Sequence, residues 1–244
     1  MNGPTVRRVF IVGCSRSGTT LLQGLLASHS RVHTFPETGV FLKAFGMRGR
    51  VLPWVPLGIT MGKERKALAK LQRPSAGRLP ALPPRRLSLA LSLEDVAEFL
   101  DSLADAHGKD VWVEKTPRHV FHARRILRGV PGSCCIHIVR QGQDVVASMV
   151  DRARRFPNRF PRQQDPSYGI DQWNRSMRAT AEASREDGHA VVVFEDLVRG
   201  VETTLVRLSQ ILGLEYEPGM AGPADPSSFT DPSEAVSYTH LRAH

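Results

Sequence analysis

Val9-Phe-Ile-Val-Gly-Cys-Ser-Arg-Ser-Gly-Thr-Thr-Leu-Leu22 decides the fold of this 244-residue chain. An apolar, strand-forming run stops at Gly13, passes through polar residues to Gly18, and re-enters an apolar, helix-forming run at Leu21. A strand that feeds a glycine-bounded turn and then opens a helix makes a phosphate-binding loop. The backbone N–H groups of the turn and of the first helical turn converge on one spot, and the helix dipole adds positive charge there. Gly13 and Gly18 have the G-x-x-x-x-G spacing of the nucleotide-binding version. Thr19, however, stands where an ATP or GTP enzyme carries Lys, and Arg16 lies inside the turn. Thr19 is too short and uncharged to reach the terminal phosphates of a nucleoside triphosphate. Thr20 can still bond a metal or a phosphate oxygen, but no apolar strand ends in a metal-holding Asp. The loop reads as a holder of a single 5'-phosphate-like group rather than of a metal-chelated triphosphate.

Working outward, the strand-then-helix alternation recurs, which predicts a parallel sheet covered by helices. Val32-His33-Thr34 is a short second strand ending in Phe35-Pro36-Glu37. Ser92-Leu-Glu-Asp95 resembles a capping box, and Val96, Phe99, Leu100, Leu103 and Ala104 follow at the spacing of one buried helical stripe. Val111-Trp-Val113 is a strand ending in Glu114-Lys-Thr-Pro117. A basic helix over about 118–128 leads to the buried strand Cys134–Val139, which ends at Arg140. A helix carrying Val145, Val146, Met149 and Val150 comes next, then a Pro- and Arg-rich loop over 152–168, then a helix over 170–185. Ala190–Phe194 is the last strand, followed by Glu195. Leu205, Leu208, Ile211 and Leu212 mark a closing helix, with Gly213 as its cap. The expected fold is α/β: a P-loop NTPase-like three-layer sandwich on a central parallel sheet of about four to five strands.

Length fits one domain over residues 1–220. Residues 43–91 read as a basic, Pro-rich insertion or lid with a short helix around 63–71. Residues 221–244 read as a weakly patterned tail. Its end, Ser237-Tyr-Thr-His-Leu-Arg-Ala-His244, departs from the preceding composition and reads as a translated sequencing-adapter fragment. No segment approaches the roughly 18–20 consecutive apolar residues of a membrane span, so stable membrane insertion is not expected. The first strand begins too early to leave room for a signal peptide. Cys14, Cys134 and Cys135 form no disulfide framework, and the expected setting is a reducing cytoplasm.

The net charge of +9 is uneven. Between Lys43 and Arg86 eleven Lys and Arg face one acid, Glu64, leaving the rest of the chain close to neutral. Such a cluster points to an anionic partner or to a solvated insertion. It lacks the interleaved aromatics that stack single-stranded bases, so nucleic acid is not expected.

In open α/β sheets, ligands sit at the carboxyl ends of strands. Those ends deliver Arg16, Glu37, Glu114, Lys115, Arg140 and Glu195, with Ser148 two turns along the helix after Arg140. Three cations and a carboxylate around an anion loop describe a site for transfer of an anionic group. Glu114 and Glu195 read as structural partners. His33, His119 and His137 show no metal spacing and read as packing or surface residues.

This set resembles the sulfotransferases that use 3'-phosphoadenosine-5'-phosphosulfate (PAPS). Gly13-Cys-Ser-Arg-Ser-Gly-Thr-Thr20 is similar to their 5'-phosphosulfate loop. Ile138-Val-Arg140 through Ser148 is similar to their 3'-phosphate signature, an Arg at a strand end with a Ser eight residues on. In spacing the chain is most similar to the tyrosylprotein sulfotransferases and the bacterial group like them, where a Glu near the next strand end and a Lys-x-Pro turn follow the loop. Glu37 and Lys115-Thr-Pro117 match these, and the resemblance spans about 9–213. It implies that Glu37 is the general base. It implies that Arg16 and Lys115 stabilise charge on the sulfuryl group and the bridging oxygen. It also implies that Gly13, Cys14, Ser15, Arg16, Ser17, Gly18, Thr19 and Thr20 hold the 5'-phosphate, and that Arg140 and Ser148 hold the 3'-phosphate. PAPS would be the co-substrate without a metal, and the partner a hydroxyl-bearing acceptor: peptide, glycan or small molecule.

Two departures stand out. Phe194 precedes Glu195 where the family commonly has Tyr, which removes a hydroxyl contact to the nucleotide. The family's closing C-terminal segment is not recognisable, so the chain as written is expected to bind PAPS poorly or be inactive. Two other functions share parts of the pattern: a P-loop kinase or nucleotide hydrolase, against which Thr19 argues, and a non-catalytic binder of polyanions.

Overall fold

The computed structural model of the chain describes residues 8–45, 68, 69, 71 and 93–222. Five strands, β1 (Arg8–Gly13), β2 (Val32–Phe35), β3 (Val111–Lys115), β4 (Ser133–Val139) and β5 (His189–Val193), form one sheet. The strand order is β2-β3-β1-β4-β5, and every neighbouring pair is parallel. The helices are α1 (Thr19–Ala27), α2 (Val40–Phe45), α3 (Leu93–Ala106), α4 (Ala123–Gly129), α5 (Gly142–Arg155), α6 (Pro166–Ala183), α7 (Phe194–Arg199) and α8 (Val201–Leu212). Tight 3-10 turns span Pro117–His122, Pro161–Gln164 and Pro218–Ala221.

β1 and β4 read as near-continuous apolar runs because the sheet is covered on both faces. Alternate residues go to opposite layers. Phe10, Val12, Trp112 and Cys135 pack against the α3 stripe and Ile126 of α4. Val9, Ile11, Val113, Ile136 and Ile138 pack against Leu22, Leu25 and Leu26 of α1 and Leu205, Leu208 and Leu212 of α8. This is the three-layer α/β sandwich of the P-loop NTPase-like fold.

The register fixes the site. Ile11 pairs with Lys115, Gly13 with Ile138, Phe35 with Glu114 and Val139 with Val193. The strand ends that carry the loop, Glu37, Lys115, Arg140 and Phe194 therefore share one edge. The chain leaves β1 toward β2 on one side and leaves β4 toward β5 on the other. A crevice at such a switch point is where α/β sheets bind ligands.

Several boundaries differ from the sequence expectation. The basic helix over 118–128 divides into the 3-10 turn Pro117–His122 and α4. Pro117, Val120, Ala123 and Ile126 are all buried at intervals of three, the period that a 3-10 turn aligns. The loop over 152–168 is shorter, because α5 continues to Arg155 and α6 starts at Pro166. The α6 start is a cap hidden in Pro-rich sequence: the Asp165 carboxylate accepts from Ser167 N at 2.9 Å, and Pro166 occupies the first helical position. Phe194 leaves the last strand and opens α7. Ile211 faces outward, while Gly213 caps α8 in the left-handed conformation (φ 68°). The expected helix over 63–71, the insertion over 43–91, Ser92 and the tail from 223 lie largely or wholly outside the described residues. Among the described residues no helix is long and apolar enough to cross a membrane.

Candidate active site

The loop after β1 is built by close approach. A Cβ on Gly13 would stand 2.4 Å from the Ile138 carbonyl oxygen, and one on Gly18 (φ 92°) would stand 2.3 Å from Cδ2 of Phe194. Only glycine lets the turn press against β4 and α7 in this way. Arg16 takes the left-handed conformation (φ 76°), the only non-glycine among the described residues to do so. Ser17 N bonds back to Cys14 O at 3.2 Å, and Leu22 N to Gly18 O at 3.1 Å. Thr19 and Thr20 open α1, and N–H groups in a first helical turn have no intrahelical acceptor. Cys14 contributes backbone only: its side chain packs with Val145, Met149 and Trp173, and burial pushes its thiol up to about 11. Ser15 and Thr20 are partly exposed, whereas Thr19 is buried.

Arg140 leaves β4 and returns to this loop. Its Nη1 donates to the Arg16 carbonyl at 3.4 Å, and its guanidinium carbon lies 4.4 Å from the Phe194 ring centroid. The Arg140 carbonyl accepts from Trp173 Nε1 at 2.9 Å. Ser148 sits in the same cluster, accepting at Oγ from Arg16 Nε at 3.0 Å. Arg16, expected to act with Lys115, has its guanidinium on the Ser148 side of the site. Two fully buried donors in this cleft, Ser17 Oγ and Arg140 Nε, have no hydrogen-bond partner among the described residues. Buried donors of this kind are costly unless something accepts from them, and an anion is the natural acceptor.

A second grouping stands across β3. Lys115 Nζ lies 3.4 Å from Glu37 Oε2. The lysine side chain is 2% exposed and the glutamate 46%, so the cation is the buried partner and the carboxylate opens outward. Behind them lies Glu114, fully buried. Burial works against its charge, but His119 and the hydroxyls of Thr116 and Thr38 hold its carboxyl below the ordinary value. His119 Nδ1 stands 3.0 Å from Glu114 Oε2, without hydrogen-bond alignment. Glu195 accepts from Gln141 N at 3.0 Å and braces the turn after Arg140. Among the described residues, no group of three or more His, Cys, Asp or Glu is arranged to hold a metal.

Sequence reasoning missed Trp173, Thr38 and the packing role of Phe194. Trp173 is 33 residues from Arg140, with no motif to tie them. Phe194 was legible only as a missing hydroxyl, yet its ring fills the space between Gly18 and Arg140. Gly18→Ala is therefore expected to destabilise the fold. The left-handed alanine alone costs on the order of 1 kcal/mol, and displacing the Phe194 ring adds to it. A thermal melt beside wild type checks this; an unchanged melting temperature would remove the close-approach argument.

The sequence profile of the sulfotransferase family matches residues 8–218. No curated protein matches the chain significantly. Among solved structures, the chain is similar to the sulfotransferase domain of the curacin biosynthetic pathway, with 21% identity, coverage of 97% of this chain and 83% of that one, and a TM-score of 0.63. It is also similar to the sulfotransferase domain of the Synechococcus PCC 7002 olefin synthase, with 17% identity, coverage of 100% and 96%, and a TM-score of 0.58. A mouse sulfotransferase complexed with PAP (adenosine 3',5'-bisphosphate) shares 13% identity, with coverage of 92% and 66% and a TM-score of 0.52. At these identities the likeness concerns the fold. The profile match spans most of the chain, and the chain belongs to the sulfotransferase family.

Proposed function

We propose that the chain transfers a sulfuryl group from PAPS to a hydroxyl of a peptide, glycan or small-molecule acceptor. The observation that carries this reading is the return of Arg140 to the β1 loop, with Nη1 on the Arg16 carbonyl and Ser148 in the same cluster. A nucleotide with a single 5' chain needs one anion grip; a 3',5'-bisphosphorylated one needs two, and the clustering of Arg140 and Ser148 beside the loop supports a second. The orphaned Ser17 Oγ and Arg140 Nε fit such a ligand. The mouse relative solved with PAP agrees with it.

When bound, PAPS supplies the sulfuryl group and a phosphate leaving group. The loop Gly13–Thr20 holds the 5'-phosphate, and Arg140 with Ser148 the 3'-phosphate. Glu37 takes the acceptor's hydroxyl proton as the acceptor oxygen forms its bond to sulfur. The bond from sulfur to the bridging oxygen breaks, and Lys115 and Arg16 stabilise the negative charge left on that oxygen. In-line positioning and electrostatic stabilisation carry the transfer, as they do phosphoryl transfer, whose moving group carries more charge. The three cysteines are buried free thiols, which supports a reducing, cytoplasmic setting.

Calorimetry with PAP in magnesium-free buffer, set against ATP with magnesium, tests the reading. PAP binding without metal supports it, and binding of ATP alone rejects it. Arg140→Gln should weaken PAP by about 10- to 100-fold, the worth of a hydrogen bond to a charged group. The same change should weaken adenosine 5'-monophosphate much less than PAP, so the preference for the 3'-phosphate narrows.

A further inference from the structure

The fully buried carboxylate of Glu114 has no part in the chemistry above. Its Oε1 accepts from Thr38 Oγ1 at 2.9 Å and from Thr116 Oγ1 at 2.6 Å. Each hydroxyl in turn accepts a backbone N–H: Thr38 Oγ1 from Val40 at 3.1 Å, and Thr116 Oγ1 from Gly39 at 3.3 Å. A carboxylate can only accept, so it forces both hydroxyls to donate inward and present lone pairs to the 39–40 backbone. Thr38 adjoins Glu37, and Thr116 adjoins Lys115. The two segments come from different strands, β2 and β3, and the carboxylate ties them at a point next to the 3.4 Å contact between Lys115 and Glu37.

We infer that Glu114, acting with Thr38 and Thr116, is a positioning residue: a buried carboxylate that sets the placement of Glu37 against Lys115 by stapling the segment that carries one to the turn that carries the other. A buried charge is an expensive way to hold two loops, since apolar contacts do so at lower desolvation cost. What it adds is orientation: its hydroxyl partners donate from fixed directions, and each directs one backbone group. The carboxylate is held charged by His119 and the two hydroxyls. The rings of Phe10 and Phe41 stand against His119, with centroids 6.3 and 5.7 Å away, so the staple is walled from water.

The inference rests on the reading of Glu37 and Lys115 as the reacting pair, and its test separates the two. Thr38→Val removes one hydroxyl and keeps the shape; Thr38→Ser restores the hydroxyl. Glu114→Gln removes the charge and keeps the volume. PAP affinity is read by calorimetry, and PAPS turnover is followed as PAP release with a panel of peptide, sugar, steroid and lipid alcohols, or with water alone. The expected result is a fall in kcat of about 10-fold or more for Thr38→Val and Glu114→Gln, recovery in Thr38→Ser, and PAP Kd and PAPS KM within about 2-fold throughout. A general loss of structure would move Kd and KM together with kcat. If Glu114→Gln does not fold, the Thr38 pair alone decides. Wild-type turnover in Thr38→Val overturns the staple and leaves the function standing. A wild-type protein that releases no PAP from PAPS under any of these conditions overturns both.

Discussion

If Glu37 is the general base of the proposed reaction, Glu37→Gln is expected to lower sulfuryl transfer by about 10²- to 10⁴-fold, with PAP binding within about 2-fold of wild type. The two effects separate because the groups are built on different strands. The proposed phosphate grips lie on the β1 loop and at the end of β4, whereas Glu37 follows β2 and meets Lys115 at the end of β3. Glutamine keeps the length and the hydrogen-bonding shape of the side chain but cannot take a proton. The asymmetry of the pair gives the prediction its direction. Lys115 is 2% exposed and Glu37 46%, so Glu37 is the member of the pair open to solvent. Turnover of the variant in the reaction found for the wild type is the measurement, with single-turnover kinetics to separate chemistry from product release. Activity within a few-fold of wild type would assign the proton to another group or remove the enzymatic reading in favour of simple anion binding.

The parts of this site that were legible in the sequence share one property: each is announced by local sequence. The Gly13–Gly18 turn is bounded by an apolar strand and a helix. Lys115 precedes Thr116-Pro117, and Arg140 ends a buried strand with Ser148 eight residues later. Parallel-sheet geometry then brings these ends to one edge whatever lies between them. The parts that were not legible depend on contacts between segments far apart in the chain. Thr38 meets Glu114 across 76 residues, and Trp173 meets the Arg140 carbonyl across 33. Glu114 itself was read as structural, which its burial supports, but the direction of its two hydroxyl partners has no trace in the spacing. The 3-10 turn Pro117–His122 looks helical in sequence because its buried positions, three apart, overlap the helical pattern. Arg16 illustrates the same limit. Its place inside the loop was plain, but the left-handed backbone that carries its side chain to Ser148 was not.

Folding stability is expected to fall on the acid side before the carboxylates titrate, with the buried His137 and the half-buried His33 as the leading causes. His137 lies fully buried in the middle of β4. Its Nδ1 is 3.1 Å from Thr180 Oγ1 and its Nε2 is 2.9 Å from His189 Nδ1. Burial, and then the neighbouring His189, lower its pKa to about 3. In the unfolded chain the same imidazole protonates near pH 6.5. Below that pH the unfolded state binds a proton that the folded state refuses, so stability present above pH 6.5 is lost as the pH falls toward 3. Each pH unit in that window is worth about 1.4 kcal/mol, or about 2 kcal/mol between pH 6.5 and 5.0. His33, lowered to about 4 by burial and by His107 and Lys109, contributes through the upper part of the same window. Urea midpoints at pH 7.5 and 5.0 measure the sum. His137→Gln keeps a hydrogen-bonding side chain between Thr180 and His189 and removes the titration. It is expected to be less stable than wild type at pH 7.5 and to lose about 2 kcal/mol less on acidification. Equal acid sensitivity in the two proteins would place the proton uptake elsewhere. The pH 5.0 limit keeps the comparison clear of Glu114, whose lowered carboxyl pKa makes its own stabilisation vanish only at still lower pH, where the staple behind Glu37 and Lys115 loses its charge.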